Sequence, residues 1–257
     1  MNIGESKARR TDPFLKDRFA RYDRWLRDGK ISHSAKVIPV TESIQGKQWV
    51  LPTEQAAEIL RDARSVAVQA CECRVHYQRC DHPLDVCLLL NDVADGLVAK
   101  GEAHPVSMAE ATEILRKANE SGLVHLTLYM PDHRIYALCS CCPCCCHDLQ
   151  IIEAFERPDL MVRSDYVALT DRATCIDCGD CVPRCYFGAR SWRDEQVVYD
   201  PDACVGCGLC VTVCPVEATI MVLRNPGTSR IREARTRASE SDRGPRAHTR
   251  PGQGHAQ

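Results

Sequence analysis

The sequence predicts an α+β protein: a mixed α/β, cysteine-rich N-terminal domain (residues 1–164), a small C-terminal domain (165–223) and a polar tail (224–257). Three observations predict it. Helix signals and short strand-like runs intermingle through the first 164 residues. Residues 166–192 and 196–222 read as two copies of one unit. Beyond Leu223 the chain loses its apolar residues and fills with Arg, Ser, Gly and Pro, the composition of a disordered segment.

The elements follow in order. In residues 1–30, Phe14, Leu15, Phe19, Tyr22, Trp25 and Leu26 recur at helical spacing between charges, ending near Gly29. This is expected to be a surface helix packed on the body rather than a docking helix. Residues 36–50 hold an extended segment. Thr53 opens a helix to about Arg64, and Ser65 to Gln69 is a short strand leading into Cys71. Ser107 and Glu110 form a capping box for a helix that stops at Gly122. Leu123 to Met130 and Ile135 to Leu138 are strands joined by the turn Pro131–Arg134, and the second delivers Cys139. Asp148 to Phe155 is helical. Tyr166 to Leu169 is expected to pair with Thr219 to Leu223, and Ala189–Trp192 with Gln196–Tyr199.

Composition narrows the functional class. Hydrophobic residues make up 44% of 257, enough for a buried core, and net charge is -2. Eighteen cysteines are clustered rather than scattered. Residues Met1 to Asp28 lack the apolar stretch of a signal peptide, which argues against a secreted disulfide scaffold. No run approaches the ~18 apolar residues of a membrane span. The expectation is a cytoplasmic protein whose cysteines bind metal. Residues 165–222 carry nine acidic and four basic side chains, and residues 223–257 eight basic and three acidic. The helix 108–120 followed by a hairpin has a winged-helix outline. Residues 1–164, with 21 basic and 23 acidic side chains, lack the electrostatic footprint for nucleic acid.

The most specific signal is Cys175-x2-Cys178-x2-Cys181-x3-Cys185, repeated 29 residues later as Cys204-x2-Cys207-x2-Cys210-x3-Cys214-Pro215. Thiolates are soft ligands suited to iron–sulfur clusters, and this is the spacing in which the fourth cysteine serves the other cluster. Structural zinc is disfavoured, because its pairs are separated by a long gap. The segment resembles bacterial-type ferredoxins with two 4Fe–4S clusters, preceded here by a cysteine-rich segment of an iron–sulfur protein. The resemblance covers about residues 165–223 and implies a ferredoxin-like two-cluster domain of βαββαβ type. It implies that Cys175, Cys178, Cys181 and Cys214 hold one cluster and Cys204, Cys207, Cys210 and Cys185 the other. Gly179, Gly206 and Gly208 let backbone N–H groups approach the sulfurs. One departure is visible: Tyr186, not Pro, follows Cys185.

Ten cysteines lie upstream. Cys71, Cys73, Cys80, Cys87, Cys139, Cys141, Cys142, Cys144 and Cys145 are candidate ligands of an additional centre, and at least one of Cys144, Cys145 and Cys146 is expected not to ligate. Ten thiols suffice for two further clusters, for one cluster plus zinc, or for one cluster plus a reactive pair. If extended, Cys71 and Cys73 point the same way. Pro143 stands where a C-x-x-C-H haem motif needs its first cysteine. His76, His82 and His147 lie near these cysteines, and Arg74 and Arg79 could stabilise a reduced centre.

The leading expectation is an electron-transfer protein that passes electrons through two 4Fe–4S clusters, to or from a partner protein or its own N-terminal centre. A cluster-dependent oxidoreductase with its active site in the N-terminal domain, and an iron–sulfur redox sensor, are the alternatives. No G-x-G-x-x-G, P-loop or triad is present.

Overall fold

A seven-stranded sheet forms the centre of the protein. The structure, a computed structural model, describes residues 12–39 and 52–224. The first eleven residues, most of the expected extended segment 36–50 and the basic tail lie outside these. Helix α1 (Pro13–Arg27) starts where Asp12 accepts hydrogen bonds from the backbone N–H groups of Phe14 and Leu15. Strand β1 (Ala35–Ile38), helix α2 (Pro52–Asp62), strand β2 (Val66–Ala70) and the short helix α3 (Glu72–Tyr77) follow. Then come β3 (Asp85–Leu90), α4 (Asn91–Ala99), β4 (His104–Pro105), α5 (Met108–Glu120), β5 (Val124–Tyr129), β6 (Ile135–Cys141), α6 (His147–Ala154) and β7 (Met161–Val162).

The strand order is β4-β2-β3-β6-β5-β1-β7, antiparallel except for the parallel β1/β7 pair. Alternation along each strand divides the core into two faces. One face buries Leu88, Leu90 and Leu138 against Leu60 of α2 and Ala111 of α5, with no cysteine among them. The opposite face buries Ala35, Val37, Leu126 and Ala137 against Ala94 of α4, and it also carries Cys139 and Cys141. Helix α1 packs Leu15 and Tyr22 on Ile151 and Ala154 of α6, and Phe19 stacks on Phe155 at 4.1 Å.

Four local expectations are corrected. Cys71 and Cys73 are not on an extended segment, because Cys71 precedes α3 and Cys73 lies in its first turn. Cys139 and Cys141 belong to β6 rather than to the loop after it. The hairpin β5–β6 is no wing, since β3 and β1 flank it on both sides. The run Asp85–Leu90 and the segment after it, for which no element is expected from sequence, form β3 and α4.

The C-terminal cysteine region is framed by β8 (Tyr166–Thr170) paired with β11 (Thr219–Leu223), and by the hairpin β9 (Arg190–Arg193) with β10 (Gln196–Tyr199). These are the pairings the sequence predicts. No helix among the described residues is long and apolar enough to cross a membrane.

Candidate metal centres

The two C-terminal cysteine runs surround two partly open cavities. Cys175, Cys178, Cys181 and Cys214 line one, and Cys185, Cys204, Cys207 and Cys210 the other. The chain thus brings the fourth cysteine of each run to the opposite half. Among the described residues, no three of these eight sulfurs lie mutually within 4.8 Å. These eight sulfurs are therefore not gathered as a single-ion site. Gly206 shows why the loop needs glycine: its φ is +79°, and a Cβ there would collide with the carbonyl oxygen of Tyr166.

The two loops differ in setting. The loop from Cys175 to Cys181 is largely open, with Cys178 exposed and Ile176 62% exposed. The loop from Cys204 to Cys210 is largely buried, and Val205 and Leu209 join the core that contains Leu126, Cys141 and Cys146. Arg190 lines both cavities. It is buried, its Nη1 lies 3.8 Å from Cys181 Sγ, and its Nη2 donates to Thr170 Oγ1 at 2.9 Å. Burial works against its charge, but Cys210 and Cys181 hold its pKa above the ordinary arginine value. The cysteine spacing gave no signal for this residue.

Tyr186 stands at the junction with the N-terminal sheet. Its hydroxyl donates to Gly122 O at 3.0 Å, and Arg184 beside it donates to Glu120 O at 3.5 Å. Burial raises the phenol pKa against the opposing charge of Arg184, and the ring packs on the core that Cys139 and Cys207 also border.

Upstream, Cys80, Cys142, Cys144 and Cys145 converge with their sulfurs all within 4.8 Å of one another. Cys80 Sγ is 3.7 Å from Cys142 Sγ and 3.8 Å from Cys145 Sγ. A zinc–sulfur bond of about 2.3 Å places tetrahedral thiolates about 3.8 Å apart, so this set has the dimensions for a single soft ion, zinc or iron. Arg79 donates to Cys144 O at 3.1 Å and to Gln150 Oε1 at 2.8 Å, fixing the Cys144–Cys146 loop.

The remaining candidates, Cys71, Cys73, Cys87, Cys139 and Cys141, lie with Cys146 outside that set. Cys146 directly precedes α6. His147 is buried, with Nδ1 3.0 Å from Cys73 Sγ and Nε2 2.8 Å from Tyr22 Oη and 3.1 Å from Asp148 Oδ2. It orients Cys73 from α1 and α6. His76 is exposed and stacks on Phe14 at 4.2 Å, while His82 offers its backbone N–H to Cys80. Arg74, for which surface solvation is the simplest expectation from sequence, is instead 2% exposed.

A family model described as a 4Fe-4S dicluster domain matches residues 174–218. No curated protein matches the chain. The matched segment takes two 4Fe–4S clusters, and the four-thiol cavities on either side of Arg190 fit them. When bound, such clusters supply one-electron carriage whose potential the surrounding protein sets.

Proposed function

We propose that this chain is an electron-transfer protein in which electrons pass between a partner at the outer loop, Cys175 to Cys181, and the N-terminal cysteine region behind the inner loop, Cys204 to Cys210. The observation that carries the reading is the asymmetry of the two loops. Cys178 and Ile176 face solvent, whereas Val205 and Leu209 are packed into the core that Cys139, Cys141 and Cys146 share. A partner can approach the first loop more closely than the second. The second loop, with Tyr186 beside it, adjoins Cys139, Cys141 and Cys146.

Stopped-flow reduction by a separate small bacterial-type ferredoxin tests this order. With Cys178→Ser, reduction of the inner centre is expected to slow at least tenfold. With Cys207→Ser, reduction of the outer centre is expected to keep the wild-type rate. Inner-centre reduction at the wild-type rate in Cys178→Ser protein would show that electrons enter elsewhere.

A further inference from the structure

Six upstream cysteines and one arginine are left without a role by the sites above. Neighbouring strands β3 and β6 pair Leu88 with Leu138 and Leu89 with Ala137. One step further along the same register, Cys87 faces Cys139 on one side of the sheet, and Cys141 follows two residues on. The start of α3 adds Cys71 and Cys73, and the residue before α6 adds Cys146. Their thiols form a continuous run. Cys71 is within interaction range of Cys73 and Cys87, Cys73 of Cys146, Cys87 of Cys139, and Cys146 of Cys141. All six are free thiols.

Arg74 lies among them. Its guanidinium makes no ion pair with a carboxylate among the described residues. It donates to the backbone oxygen of Ser140 at 3.1 Å and to Cys142 Sγ at 3.6 Å, and its Nε, fully buried, has no partner. The nearest candidates for negative charge are the sulfurs of Cys71, Cys142 and Cys87. Burying a guanidinium without an anion is strongly unfavourable. Neutral thiols do not supply that anion, and buried thiolates persist when metal holds them deprotonated. Among the described residues, no three of the six sulfurs lie mutually within 4.8 Å, so the run is too extended for one tetrahedral ion.

We propose that Cys71, Cys73, Cys87, Cys139, Cys141 and Cys146 supply the thiolates of a second upstream centre, a polynuclear iron–sulfur cluster, with Arg74 as the counter-cation it shares with Cys142. Each sulfur that binds releases its proton to solvent, and the resulting negative charge falls beside the guanidinium. The centre's place as electron acceptor behind the inner loop rests on the reading of the previous subsection, but its existence does not.

The test is iron, sulfide and zinc content with Mössbauer spectra of the full chain, purified anaerobically. The wild type is expected to hold iron and sulfide beyond the two clusters of the dicluster segment. Cys87→Ala/Cys139→Ala protein should lose the excess sulfide and the iron that accompanies it, and keep both the dicluster iron and the metal at Cys80. Arg74→Met should lower the excess by at least half, while Arg74→Lys, which keeps the charge, should retain most of it. Because the arginine variants leave every sulfur in place, they report even if the cysteine pair fails to fold. Iron and sulfide confined to the dicluster segment in the wild type, zinc in place of the excess iron, or disulfides among the six thiols found by mass spectrometry would overturn the proposal. If the excess iron is present but is not reduced through the inner loop, the relay fails and the site stands.

Discussion

Arg190 places one buried positive charge between two clusters, and the electrostatic consequence has a definite sign. Reduction adds an electron to each cluster, so a nearby cation stabilises the reduced form and raises the potential. The guanidinium is held by Thr170 Oγ1 and by the face of Tyr199, 4.6 Å from its centroid, and cannot swing out to water without leaving both. A unit charge acting through an effective dielectric of about 20 over about 8 Å is worth about 2 kcal/mol. With 59 mV for each tenfold change in a one-electron couple, Arg190→Gln is expected to lower both dicluster potentials by roughly 50–100 mV. Redox titration followed by EPR checks this, and a shift of only one cluster would show that the charge is not shared. This residue also marks a limit of reading from sequence. The eight cysteines announce themselves by spacing, but an arginine nine residues after Cys181 follows no motif, and only the folding of β9 across both cavities gives it meaning. Arg74 is a parallel case, since its burial depends on α3 and β6 meeting.

The helix α5 was legible because its signals are local. Ser107 accepts from Glu110 N and Glu110 bonds back to Ser107 N, as the capping box requires, and Gly122 stops the helix with φ at +75°. What the sequence did not show is that the dicluster segment finishes this helix end. Arg184 and Tyr186 donate to the Glu120 and Gly122 carbonyls, satisfying acceptors that the last turn leaves open and placing a cation at the negative end of the helix dipole. Tyr186, which stands where the ferredoxins that the segment resembles have Pro, thus joins Arg184 in tying the segment to the end of this helix. Gly122→Ala is expected to destabilise the protein by about 1–3 kcal/mol, since a side chain at that φ is strained and its Cβ would collide with the Arg184 guanidinium. Denaturant unfolding of the anaerobic protein measures it. Adding Arg184→Ala should return the steric part and leave the strain; a Gly122→Ala protein as stable as the wild type would mean that the junction is loose. By contrast, β3 was missed because Val86–Leu90 runs apolar without alternation, the strand lying inside the sheet between β2 and β6. The Cys71-x-Cys73 spacing misled for a similar reason, because two residues fit an extended pair and a helix start equally well.

At the scale of the whole molecule, the two cysteine regions lean on one sheet to different degrees. The face formed by Leu60, Leu88, Leu90, Ala111 and Leu138 contains no cysteine, and each fully buried leucine there contributes roughly 1.5–3 kcal/mol. The cluster around Tyr166, Ala168 and Met221 is small and includes Cys204 and Cys210 among its buried members, with Cys181 and Cys185 at its edge. A segment of that size has too little apolar surface to order itself, so binding of its metal and its folding are one event. Removing metal should therefore divide the chain unequally. After oxidation and chelation under native conditions, amide hydrogen exchange is expected to leave β3, β5 and β6 protected, while residues 174–218 exchange at least a hundredfold faster than in the loaded protein. The inner loop should retain more protection than the outer one, because Val205 and Leu209 still bury against Leu126 when the cluster is gone. Equal loss across sheet and loops would mean that the metal centres, rather than the cysteine-free face, hold the sheet together.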